Sequence, residues 1–245
     1  MKSIKMLFAI TLLSIIGVSC DTEPTDPVLT EQNPDDNNPG GGGGNNNGGD
    51  GTYWPLAVDN TWFYNITNGT DQDMTIGATQ TIDGETYYKF DEFFGSNGPA
   101  FATGDAYARV DNGSYYVRVS ATTNTGMSIS GLNYIIFKDY LNVGETWTDT
   151  FTQSMTFDMP GMPEIPDMQY EGTILGKILE KDISIEVEGE TFNHVIHARV
   201  TQSVMGAETV SDYWWAKDVG PVKIILTASD GGDDVIETLE SYDVN

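Results

Sequence analysis

From Thr61 to Tyr242 apolar and polar residues alternate in short runs, and nothing beyond the first nineteen residues repeats at the helical period. In an extended chain alternate side chains share a face. Trp62, Tyr64 and Ile66 therefore form one stripe, and Tyr115, Val117 and Val119 another, with Tyr116, Arg118 and Ser120 opposite. Trp147, Phe151, Met155 and Phe157 have one parity, as do Ile174, Gly176 and Ile178. Phe192, His194, Ile196, Ala198 and Val200 read as a further buried stripe. Val222, Ile224 and Leu226 lead into a last strand around Val235 to Tyr242.

Turn dipeptides separate these runs: Asn68-Gly69, Asp83-Gly84, Asn97-Gly98, Asn112-Gly113, Glu188-Gly189 and Asp230-Gly231. Residues of these kinds accept positive φ and close hairpins. The pattern predicts an all-β domain over 53–245, with roughly ten to twelve antiparallel strands joined mainly by hairpins. So many strands must twist and curl. The expectation is a strongly curved single sheet or open half-barrel, with a β-sandwich as the alternative.

The first 52 residues follow different rules. Lys2 and Lys5 precede an apolar run from Met6 to Ile16, too short to span a bilayer and of the length of an export signal. The lone cysteine, Cys20, follows Gly17-Val18-Ser19. A single thiol in an exported chain calls for a chemical reason, and acylation supplies one. Residues 21–52 contain the run Gly40 to Gly44, many Asn, Asp and Pro, and almost no apolar side chains, so burial cannot offset the entropy of ordering them. The reading is a signal peptide over 1–19, then Cys20 and a flexible tether over 20–52 with a mean span of about 30 Å.

Charge narrows the partners. The chain carries 37 acidic and 11 basic residues, a net −26, which becomes −28 once Lys2 and Lys5 are removed. Such a surface repels phosphate backbones, so nucleic acid is excluded as a partner.

The junction Gly17-Val18-Ser19-Cys20 resembles the lipobox of bacterial lipoproteins, L-[AS]-[GA]-C, with Gly17 in the place of Leu. Pro55-Leu56-Ala57-Val58-Asp59-Asn60-Thr61-Trp62-Phe63-Tyr64 resembles the P-L-x-x-G-N-x-W-x-Y start of Bacteroidetes-type outer-membrane lipoprotein domains. Trp214-Trp215-Ala216-Lys217-Asp218-Val219-Gly220-Pro221-Val222-Lys223 is similar to the W-[YF]-A-x-G-V-G-x-V-K element near their C-termini. Asp59 and Asp218 stand where the pattern has Gly, and Asp tolerates left-handed backbone better than most residues. The resemblance implies a curved antiparallel sheet akin to lipoprotein carriers. It also implies an outer-membrane anchor at Cys20, on the periplasmic or the cell-surface face, and it brings no catalytic residues.

No residue set points to a reaction, and the expectation is a non-enzymatic protein without metal or cofactor. His194 and His197, the only histidines, lie three apart in a strand and face opposite ways, so they cannot share a metal. His194 reads as a core residue and His197 as a solvated one. Met155, Met159, Met162 and Met168 could suit Cu(I), but they read more simply as apolar cover in a Pro-rich loop. Glu186, Glu188 and Glu190 read as a like-charge guard on a sheet edge. The candidate binding residues are aromatic: Tyr213, Trp214, Trp215, Trp62 and Tyr64. They could line a concave groove for a hydrophobic ligand, or stack on a glycan or protein partner. A hydrolase built on paired acids is the third reading.

Overall fold

The computed structural model describes residues 49–67, 71–92, 101–123, 126–158, 166–228 and 232–245. The signal peptide, Cys20 and most of the tether lie outside these residues, as do Met159, Met162 and the dipeptides at 68–69, 97–98 and 230–231.

Twelve strands run in chain order. The first six are β1 (Thr61–Ile66), β2 (Gln72–Ile82), β3 (Glu85–Glu92), β4 (Phe101–Asp111), β5 (Ser114–Thr123) and β6 (Met127–Lys138). The second six are β7 (Thr146–Phe157), β8 (Met168–Val187), β9 (Glu190–Val204), β10 (Ala207–Ala216), β11 (Gly220–Thr227) and β12 (Val235–Asp243). Each strand pairs antiparallel with its chain neighbours, and β1 pairs with β12. The sheet is therefore a closed barrel and neither a half-barrel nor a sandwich. The alternation along each strand reports local pairing; closure depends on Trp62 meeting Tyr242 and Tyr64 meeting Leu239 across almost the whole chain. Closure joins the first strand to the last, but β8 and β9 run on past their neighbours: pairing of β8 with β7 ends at Lys177, and pairing of β9 with β10 ends at Val195. Glu186, Glu188 and Glu190 lie on this projecting hairpin, where like charges discourage edge pairing. Glu188 also accepts from Thr238 Oγ1 at 2.6 Å, and Glu190 accepts from Tyr242 Oη at 3.3 Å.

Three of the expected turns close two-residue hairpins with positive φ at both positions: Asp83-Gly84, Asn112-Gly113 and Glu188-Gly189. Met205-Gly206 does the same without a sequence signal of the usual kind. These mirror-type turns match the right-handed twist of the strands they join. One stripe departs from its pattern. His194 takes φ 53°, which bulges β9 and throws its side chain outward, where its ring meets Asp182. Phe192, Ile196, Ala198 and Val200 remain buried. His194 is exposed and His197 is the covered histidine, the reverse of the sequence reading: the left-handed residue takes His194 itself out of the stripe, while His197 stays on the outer face and is covered there by Trp214 and by Glu180 and Asp212.

Size is matched across neighbouring strands. Trp147 lies opposite Gly176, and Phe151 opposite Gly172, all facing inward. A methyl group built on Gly176 would sit 2.1 Å from the Trp147 ring. That ring cannot swing away freely, because its Nε1 donates to the Ile135 carbonyl at 3.1 Å. Gly176→Ala should therefore destabilise the fold. Overpacking costs about 1–3 kcal/mol, whereas the gain from replacing a strand glycine is about 0.5–1 kcal/mol. A lowered urea midpoint at unchanged slope would show it; an unchanged or raised midpoint would refute the packing account.

Candidate functional site

The start of the described chain plugs one end of the barrel. Gly51 N–H donates to Asp139 Oδ2 at 3.1 Å, and Tyr53 N–H donates to Tyr115 Oη at 2.8 Å. Tyr115 in turn donates to Asp139 Oδ2 at 3.0 Å. Asp218 N–H donates to Thr52 O at 2.7 Å, and Lys217 pairs with Asp50 at 2.9 Å. Residues 49–52, which composition assigns to the tether, are thus fastened to the barrel. They bring Trp54 into a stack of rings: Trp54 and Trp215 at 5.4 Å, Trp215 and Phe137 at 4.9 Å, and Phe137 and Tyr115 at 5.2 Å.

The two motifs that resemble lipoprotein domains meet here. Trp62 Nε1 donates to Val219 O at 2.6 Å, and Tyr64 Oη donates to Pro221 O at 2.7 Å. Asp59 and Asp218 both adopt left-handed backbone, at φ 74° and 60°, the conformation that glycine takes most readily. Asn60 joins the chain ends: its Nδ2 donates to Pro55 O, and its Oδ1 accepts from Asn245 N–H at 2.9 Å.

Beyond the plug the interior changes character. An eight-stranded barrel is about the size that side chains alone can fill; this ring has twelve strands, and no helix occupies it among the described residues. The inward-facing side chains there are mostly apolar, with Ile224, Leu226 and Val235 packed against Ile66 and Tyr213. Inward-facing Tyr134, Gln202 and Tyr213 are only half-buried.

Within this apolar wall sit polar atoms with no partner among the described residues: both carboxyl oxygens of Glu237, Gln72 Oε1 and Gln153 Nε2. Glu237 has no accessible surface. It lies opposite Ile66 on one side and Ile224 on the other, between Val235 and Leu239 along its own strand. Burial in these surroundings pushes its carboxyl up to about 8. Tyr64 and Tyr213 are held well above the usual phenol range, first by burial; the Glu237 charge adds to it in both. Burial alone raises Tyr134, to about 12.

The five aromatic candidates therefore separate into three places. Tyr64 and Tyr213 point into the barrel interior. Trp62 and Trp215 are buried at the plug. Trp214 points outward, where His197 stacks on it at 4.1 Å and Lys223 lies over it at 4.9 Å. Below it, His197 bridges Glu180 and Asp212, and Asp212 accepts two bonds from Arg199. Met155 is buried, and Met168 accepts from Tyr170 Oη at 2.9 Å. No group of three or more His, Cys, Asp or Glu able to hold a metal occurs among the described residues. Glu237 carries no sequence signal of its own: one Glu at an inward position of a strand looks like any other of the 37 acids until the barrel closes.

Fold and site together define a closed antiparallel barrel, plugged at one end, with a mostly apolar interior in which a few buried polar atoms have no partner among the described residues. No family model and no curated protein matches the chain. Among solved structures it is similar to the crystal structure described as that of "a putative lipoprotein from Parabacteroides distasonis ATCC 8503". The similarity has a TM-score of 0.48 at 13% identity and covers 78% of this chain and 98% of that one.

Proposed function

We propose that this protein is an envelope lipoprotein, held to the outer membrane by acylated Cys20, whose barrel binds a hydrophobic ligand in its lumen without transforming it. One observation carries the binding reading: a twelve-stranded ring whose interior beyond the plug is apolar yet keeps buried polar atoms unpaired. Unpaired buried polar groups are costly in a core that only has to be stable. They are the expected residue of a site whose partner is a separate molecule. The alternative, stacking on a surface glycan, loses its paired platform, because Trp215 lies inside and Trp214 is covered by His197 and Lys223.

Native mass spectrometry of the protein purified from its own cells tests the lumen. The expected spectrum shows a bound small molecule, released on unfolding; a population that is uniformly empty counts against the reading. The anchor has a separate test. Cys20→Ser should abolish acylation and release the protein from washed envelopes, since a thioether-linked chain supplies about 0.8 kcal/mol per buried methylene. Retention of the variant in the membrane fraction would refute the anchor.

A further inference from the structure

Where β8 and β9 outrun their neighbours, the ribbon they form is built in three parts. Its foot is clamped to the barrel. Lys181 Nζ donates to Asp139 O at 2.8 Å and to Leu141 O at 2.9 Å, and His197 lies between Glu180 at 3.0 Å and Asp212 at 3.1 Å. Next comes a pair of bulges. The register slips between Glu180 and Ile183 and again between Ile183 and Ile185. Each slip carries a left-handed residue, Asp182 at φ 57° on β8 and His194 at φ 53° on β9. Their side chains bond to each other across the ribbon. Beyond them lies an arm, residues 183–193, whose two strands pair only with each other among the described residues.

The arm has two faces. On its exposed side Ser184 Oγ donates to Asn193 Oδ1 at 2.7 Å. On the other, Val187 and Phe192 are buried, and Ile183 and Ile185 pack against the core. Its tip meets β12 through side chains: Glu188 with Thr238, Glu190 with Tyr242, and the Phe192 ring 6.3 Å from that of Tyr242. A two-stranded ribbon is marginally stable by itself, so the arm owes its position to this seat and not to a third strand. Left-handed backbone at Asp and His is strained, and such residues collect where a few dihedral angles absorb a movement.

We infer that residues 183–193 form a hinged lid, turning as one body on Asp182 and His194 and latched shut where Glu188 and Glu190 meet β12. Opening uncovers the apolar face of Val187 and Phe192, together with the ring of Tyr242, at the rim that the plug seals. Such a movement does not depend on a ligand in the barrel.

Thiol labelling of the full chain in detergent micelles tests the lid, with the unaltered protein as the blank for Cys20. Val187→Cys and Ile178→Cys place a thiol at two buried positions of the same strand, one on each side of the hinge. The first should react at least about a hundredfold faster, because a local opening is far cheaper than unfolding the barrel. Thr238→Val removes the donor to Glu188 and should speed labelling of Val187→Cys by about tenfold, while Ile178→Cys stays within about twofold. Phe192→Cys, on the opposite strand, gives a second reading should Val187→Cys fail to fold. Hydrogen exchange of the unaltered protein separates a swing from melting. Amides bonded across the arm should stay protected at an opening free energy above the one that labelling reports. Equal labelling on both sides of the hinge, or indifference to Thr238→Val, overturns the lid. Arm amides that exchange through the same opening as the thiol show a ribbon that melts in place, and overturn the hinge.

Discussion

Trp215→Ala should lower the unfolding free energy by about 3–5 kcal/mol, a large share of the 5–15 kcal/mol typical of a whole domain. The side chain is 1% exposed and touches rings from four different places: Trp54 of the plug, Phe137 of β6, Tyr115 of β5 and Tyr213 of its own strand. Truncation leaves a void that rigid rings cannot collapse to fill, so the transfer loss and the cavity cost add. Its neighbour serves as the control. Trp214→Ala removes a ring lying between His197 and Lys223 on the outer wall, and should cost only about 1 kcal/mol. Equilibrium denaturation followed by circular dichroism measures both. Equal losses for the two tryptophans would refute the assignment of one to the core and the other to the outside.

A pH titration of stability should expose Glu237. Below about pH 4.5 its carboxyl is protonated in the folded and unfolded chains alike, and the group imposes no differential cost. Between there and about pH 8 the unfolded chain gives up the proton while the buried side chain keeps it. Stability attributable to this group therefore falls as pH rises, by up to about 1.4 kcal/mol per pH unit, or roughly 3 kcal/mol by pH 7. Glu237 lies across from Ile66 and Ile224, and the phenols that feel its charge, Tyr64 and Tyr213, are held neutral by burial, so no compensating charge comes from either. Glu237→Gln keeps the shape and removes the proton equilibrium. The difference in unfolding free energy between the two proteins should grow with pH across the window, which separates this effect from the repulsion among the many surface acids. A difference that stays constant from pH 5 to 8 would show that the carboxyl ionises freely in the folded protein.

Strand identity was legible in the sequence because period-two alternation reflects a local fact, which side of a pleated ribbon each residue occupies. Trp62, Tyr64, Val117, Trp147, Ile178 and Val222 all point inward as their parity requires. Three dipeptide turns were legible for the same local reason. Closure was not, since the pairing of β1 with β12 joins segments at opposite ends of the domain and depends on where the whole sheet's curl brings them. His194 shows a second limit: a left-handed backbone takes one residue out of an otherwise buried stripe, and nothing in the side chain announces it. The candidate site was less legible. Aromatic surplus named Tyr64, Tyr213, Trp62, Trp214 and Trp215 together, and could not say which point into the barrel, which build the plug and which lie outside. Glu237 was indistinguishable from the other acids until the closed barrel placed it inside.

The plug also decides where a pull on the chain would be felt. The rim where Gly49 begins the described chain carries the rings that seal the barrel, together with the clasp between Asn60 and Asn245. Tension arriving from the N-terminal side would load the bonds from Gly51 to Asp139, from Tyr53 to Tyr115 and from Asp218 to Thr52 before it reached any strand ladder.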